Sequence, residues 1–141
     1  MSVTLDALGA PWTCDYQGKT YKLAPPDRQD IKAQYVNWLR QNAWNDYADA
    51  KRNLSAQDFL DYGNNFRLQM AGKAFDWGGV TWMSSMGSSP GQTRLTFLML
   101  QAYDAEITEE FAFAFFQANY ERVLFELQGA IGADPNARTP Q

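Results

Sequence analysis

At 141 residues the chain can build one domain with a hydrophobic core but is too short for two comfortable ones. Its 12 Lys and Arg against 16 Asp and Glu give a net charge of −4, and the basic residues are scattered, which argues against a phosphate-tracking nucleic-acid surface. Histidine is absent, so the usual proton shuttle, the histidine-based nucleophile triads and the commonest transition-metal ligand are all missing.

The single cysteine, Cys14, has no internal disulfide partner and lies in an aromatic-flanked strand pattern without a base beside it, which reads as a half-buried structural thiol. Met1 to Leu8 lacks the basic start and apolar core of a signal peptide, and no run approaches the ~20 apolar residues of a membrane span. The expected location is therefore the cytoplasm, where the sequon Asn53-Leu54-Ser55 would go unused. Aromatic residues make up 15%, more than a core of this size needs, and surplus large rings accumulate at interfaces.

Trp12 to Tyr16 and Thr20 to Leu23 flank Gln17-Gly18-Lys19, where Gly18 can supply the positive φ of a tight turn; a β-hairpin over about 12–23 is predicted. Two strands alone are marginal in water, so the hairpin must lie on the helices or extend a partner's sheet. Pro25-Pro26 ends the extended stretch, and Asp27 can cap a helix that carries Asp30 in its first turn. Ile31, Tyr35, Trp38 and Leu39 share one face of that helix, which runs to about Arg52. A second helix starts at Ser55, with Asp58 completing a capping-box pattern and Leu54 placed to staple against Phe59. Its apolar side is Phe59, Tyr62, Phe66 and Met70, and Gly63 predicts a kink or break.

From Ala71 to Pro90 the periodicity lapses, and glycines, serines and exposed-looking aromatics such as Trp77 and Trp82 suggest an irregular, functional loop. Ser89-Pro90-Gly91-Gln92 then reads as N-cap, N1 proline and Gln at N3, opening a helix apolar nearly all round that should be the buried centre.

The longest helical pattern is Ile107 to Ile131. Thr108 is its expected N-cap, Glu109 and Glu110 favour its first turn, and Gly132 suits its C′ position. Phe113, Phe116, Tyr120, Val123, Leu124, Leu127 and Ile131 fall on one stripe. Phe111, Phe115 and Phe125 project from the opposite side, so either the chain's own elements cover them or another protein does. Residues 133–141, polar with Pro135 and Pro140, read as a flexible tail. The fold class is thus mainly α: an N-terminal β-hairpin and about four helices in a small bundle, one domain over 1–132.

No arrangement here has the form of a catalytic, cofactor or metal site. Gly87 to Gly91 lacks the Gly-Lys-Ser/Thr of a phosphate loop, and Gly78-Gly79 lacks dinucleotide-binding spacing. Asp104, Glu106, Glu109 and Glu110 could hold a hard cation, but helix-start electrostatics account for them. Asp46 with Asp49 and Asp58 with Asp61 have no nucleophile or metal motif beside them. What remains is surface suited to binding another polypeptide.

The hairpin Tyr16-Gln17-Gly18-Lys19-Thr20-Tyr21-Lys22-Leu23 before a proline-initiated helix resembles the opening of small tail assembly chaperones of tailed bacteriophages. Gly91 to Leu100, Ile107-Thr108-Glu109-Glu110 and Ala130-Ile131-Gly132-Ala133-Asp134-Pro135-Asn136 resemble the way such proteins end. The aromatic middle loop has no counterpart in that pattern. The resemblance implies a non-enzymatic chaperone, acting in the host cytoplasm, that coats the tape measure protein or another tail protein before the tube polymerises. Phe111, Phe115 and Phe125, with Trp77 and Trp82 second, are the candidate partner-binding residues, and no nucleic acid, membrane or cofactor is expected. A ring-forming virion or connector subunit, a homo-oligomer in that case, and a small ligand-binding protein are the alternatives.

Overall fold

The computed structural model describes the backbone of residues 11–132 and the side chains of 11–128. Among the described residues the chain forms strands β1 (Trp12–Tyr16) and β2 (Lys19–Leu23), then helices α1 (Gln29–Asn53), α2 (Ala56–Ala71), α3 (Val80–Met86), α4 (Ser89–Gln101), α5 (Glu109–Ala118) and α6 (Tyr120–Gly132). The expected class, a hairpin followed by helices, is what forms. The expected tail at 133–141 and the place of Ile131 on its stripe lie outside the described residues.

β1 and β2 pair antiparallel, from Trp12 opposite Leu23 to Tyr16 opposite Lys19. Gln17 and Gly18 both take positive φ, 51° and 79°, the two-residue turn whose twist matches the strands it joins. Alternation then points Trp12, Cys14, Tyr16, Tyr21 and Leu23 toward the helices, while Thr20 Oγ1 donates to Asp15 Oδ1 on the outer face. Beyond the strand, Ala24 N–H donates to the Met99 carbonyl at 3.0 Å. That carbonyl is available because α4 tightens at its end, where Tyr103 N–H bonds back to Leu100.

α4 is the centre on which α1, α3, α5 and β2 all pack. Its residues Leu95 to Leu100 are buried without interruption, as a helix apolar all round should be. The one polar member, Thr96, returns its hydroxyl to the Gln92 carbonyl at 2.8 Å. The cap is one residue earlier than the sequence suggests: Ser88, not Ser89, accepts from Gly91 N–H, which places Pro90 in the second helical position.

α1 starts at Gln29 without a capping side chain from Asp27 or Arg28. Asp30 takes over that role, accepting from Ile31 N–H and pairing bidentately with Arg28 at 2.7 and 2.8 Å. Its 25 residues outrun the bundle, and α2 folds back to pack chiefly on it. Trp44, Tyr47, Phe59, Tyr62 and Phe66 form an aromatic cluster of their own there, with centroids as close as 4.6 Å. Ser55 caps α2 by accepting from Asp58 N–H, as its capping-box pattern implies. α2 is continuous through Gly63, so the expected break does not occur; packing of Phe59, Gly63 and Phe66 on α1 outweighs the glycine's low propensity.

The segment expected to be irregular holds α3, seven residues between Gly79 and Gly87. Tyr35 on α1 meets it through a 2.5 Å hydrogen bond between the phenol and Ser85 Oγ. Burial pushes the Tyr35 pKa up, opposed by the Ser85 bond. Burial also raises that of Cys14, with Arg122 lowering it and Asp15 adding to the rise.

Both acids thus stay protonated in the folded state to higher pH than in the unfolded chain. The stability this gives is complete below the ordinary values, 9.0 for the thiol and 10.0 for the phenol, and is lost as pH rises through the folded ones. Urea midpoints should therefore fall as the pH rises past the ordinary thiol and phenol values, and Tyr35→Phe should remove the part of that fall that lies above the phenol's.

The single long C-terminal helix expected from Ile107 to Ile131 is two. Asn119 breaks it with φ −117° and ψ 27°, and both its backbone N–H and its side-chain amide donate to the Phe115 carbonyl at 3.0 Å. Ala112, Phe115 and Phe116 point inward on α5 and Val123 and Leu127 on α6, while Phe113 and Tyr120 are left outside.

Candidate interaction surfaces

The five residues singled out in the sequence separate into three classes. Phe115 is fully buried, because the hairpin lies over it with the Tyr16 and Tyr21 rings at 5.5 and 5.7 Å. Phe111 is half-buried under the same two tyrosines, at 5.7 and 5.3 Å. The hairpin covers these rings, so they do not project freely as their angular position on the helix suggested.

Trp82 is 5% exposed, with its indole N–H unpartnered among the described residues. Trp77 is half-buried, 4.8 Å from Trp82 and 6.1 Å from Tyr35, with the Lys32 ammonium over its face. Phe125 alone of the five stands well out, at 71%.

Phe113, which periodicity placed on the stripe facing the core, and Leu68 and Val80, which it did not flag, are exposed and border apolar depressions. Phe113, 50% exposed, edges a groove of about 270 Å³ formed with Trp38 of α1 and Pro90, Thr93, Arg94 and Phe97 of α4. Here the Arg94 guanidinium stacks 4.9 Å from the Phe97 ring and 5.7 Å from Trp38. Its Nη1 donates to Glu109 Oε1 at 2.7 Å, which ties α4 to the start of α5 and gives the groove a charged rim. Leu68 and Val80, 74% and 71% exposed, flank a second depression of about 450 Å³ lined also by Gln69, Gly72, Lys73, Ala74, Gly78 and Gly79. Gly78, at φ 91°, makes the turn that brings them together.

Of the acidic residues considered for a cation, Asp104 and Glu109 are engaged locally. Asp104 Oδ1 accepts from Glu106 N–H, Glu109 pairs with Arg94, and Thr108 caps α5 by accepting from Phe111 N–H. Asp49 pairs with Arg52 one turn on. Among the described residues no three His, Cys, Asp or Glu converge as a metal set, and no helix is long and apolar enough to cross a membrane. Comparison with protein-family models, with curated proteins and with solved structures finds no match for this chain.

Proposed function

We propose that this protein binds apolar helical segments of another polypeptide and performs no chemistry itself. The observation that carries this reading is the Trp38–Pro90–Phe97–Phe113 groove: an apolar floor of aromatic side chains with a stacked arginine, bordered by the Arg94–Glu109 pair. Aromatic and arginine side chains at a desolvated centre with charges at the edge are how polypeptide interfaces are built. Phe125, Leu68 and Val80 add large apolar side chains in solvent, available to cover a client at more than one point.

The client favoured by the sequence resemblance is the tape measure protein of a tailed phage, held before the tail tube closes around it. Such a role needs moderate affinity, since the client must later be released. Co-expression with a tape measure protein of a tailed phage, followed by pull-down on a tag carried by this chain, should recover that protein in soluble form. Failure to recover it would overturn the tail-chaperone assignment.

The alternative of a ring-forming virion subunit is separated by light scattering on the isolated protein. A client-binding chaperone should be a small species, whereas a stable large oligomer without client supports the ring.

A further inference from the structure

The two outer edges of the hairpin differ. In an antiparallel pair closed by a two-residue turn, Tyr16–Lys19, Cys14–Tyr21 and Trp12–Leu23 exchange the ladder hydrogen bonds. The N–H and C=O of Thr13 and Asp15 therefore point out of β1, and those of Thr20 and Lys22 point out of β2. Two contacts agree with that assignment. The Thr13 carbonyl accepts from Arg122 Nη2 at 3.1 Å, so α6 lies along the β1 edge. Ala24, next in the outward series of β2, gives its N–H to the Met99 carbonyl. Between that bond and the turn, the backbone N–H and C=O of Thr20 and Lys22 have no hydrogen bond among the described residues. The edge they form is one wall of a half-open groove of about 230 Å³, with Leu100, Tyr103, Asp104 and Ile107 across from it.

Backbone spacing names the occupant. Two donor–acceptor pairs two residues apart on a strand edge match another extended backbone, which is how one polypeptide adds a strand to another's sheet. Tyr103, 41% exposed, offers a side chain of that strand a ring to pack on. Charge then selects among extended chains. Around the groove Lys19 and Lys22 are exposed against one carboxylate, Asp104, whose Oδ1 already accepts from Glu106 N–H. An acidic segment gains from this balance, since opposite charges on neighbouring strands attract. A second copy of the chain does not. Antiparallel pairing of two β2 edges would set Thr20 opposite Lys22 of the other copy, with the two Lys22 side chains at diagonal positions about 7–8 Å apart.

We propose that the open edge of β2 takes up an extended acidic segment of another polypeptide as a third strand, paired main chain to main chain at Thr20 and Lys22 with a carboxylate beside the Lys22 ammonium. The site is separate from the Phe113 groove, and its test is independent of the client assignment.

The test is a titration of the ¹⁵N-labelled full chain with acetyl-Thr-Glu-Leu-Glu-Thr-amide, with the peptide carrying lysine for both glutamates as the comparison. Saturable shifts should appear at the backbone amides of Thr20 and Lys22 with an affinity of about 1 mM, as about four hydrogen bonds and an exposed ion pair allow. Methylating both glutamate nitrogens, which face β2 when a glutamate lies opposite Lys22, should abolish binding. Methylating the leucine nitrogen, which faces away, should not. The lysine peptide should bind about fivefold more weakly, and Lys22→Glu, altered at an exposed position, should reverse that order. No saturable shift up to about 10 mM, shifts saturating elsewhere, binding that survives glutamate methylation, or equal affinity for the two peptides would each overturn the proposal. So would hydrogen exchange at Thr20 and Lys22 in the free protein as slow as at Tyr21, which would mean that residues 1–10 or a second copy already hold the edge. The peptide comparisons decide on the wild-type protein even if the variant misfolds.

Discussion

Phe115→Ala should lower the unfolding free energy by about 3–5 kcal/mol, while Phe125→Ala should change it by no more than about 0.5 kcal/mol. Both are phenylalanines of the C-terminal helical pair, ten positions apart. Phe115 has no exposed surface and supports two tyrosines of the hairpin, so its removal opens a cavity and loosens the layer above it. The whole chain's stability is on the order of 5–15 kcal/mol, so the first variant should lose a large fraction of it. Urea titrations of the two proteins side by side check this. Similar midpoints would mean that the hairpin does not pack on α5.

The second large effect comes from two glycines of opposite sign. A Cβ at Gly91 would lie 2.0 Å from the Ser85 carbonyl oxygen and 2.5 Å from Ser85 Oγ, the hydroxyl that Tyr35 engages. Gly→Ala ordinarily favours a helix by about 1 kcal/mol, but here α3 and α4 must separate and the Tyr35–Ser85 bond must move. Overpacking of that kind costs about 3 kcal/mol or more, so the clash wins and Gly91→Ala should melt roughly 8 °C lower. At Gly63 the nearest atom to a new Cβ is the flexible end of Arg67, at an ordinary 3.7 Å. Gly63→Ala should therefore stabilise by about 1 kcal/mol and melt a few degrees higher. Differential scanning calorimetry of both variants reads the two signs in one experiment.

Local signals in the sequence were legible where one element decides the outcome. Gly18 marked the hairpin turn, Ser55 with Asp58 opened α2, and the apolar run from Leu95 to Leu100 gave the buried centre. α3 was not legible, because seven residues between glycines span too few turns for a period to show. Nor was the break at Asn119, since asparagine is tolerated within helices and only its bond to the Phe115 carbonyl reveals the competition. Phe115 is covered by the hairpin while Phe113 is left exposed, a contact between distant elements that helical periodicity does not show, so the groove edged by Phe113 was hidden as well. Trp77 and Trp82 looked exposed because their loop was glycine-rich, yet they pack on each other and Trp77 packs on Tyr35.

The proposed client binding through exposed rings is tested most directly by the amount of tape measure protein, the proposed client, that co-purifies with a Phe113→Ser/Phe125→Ser protein, relative to wild type. Both side chains lie at or beyond half exposure, so the variant should keep its helicity and melting temperature while recovery of the client falls about tenfold. Undiminished recovery with the fold intact would contradict binding through these rings.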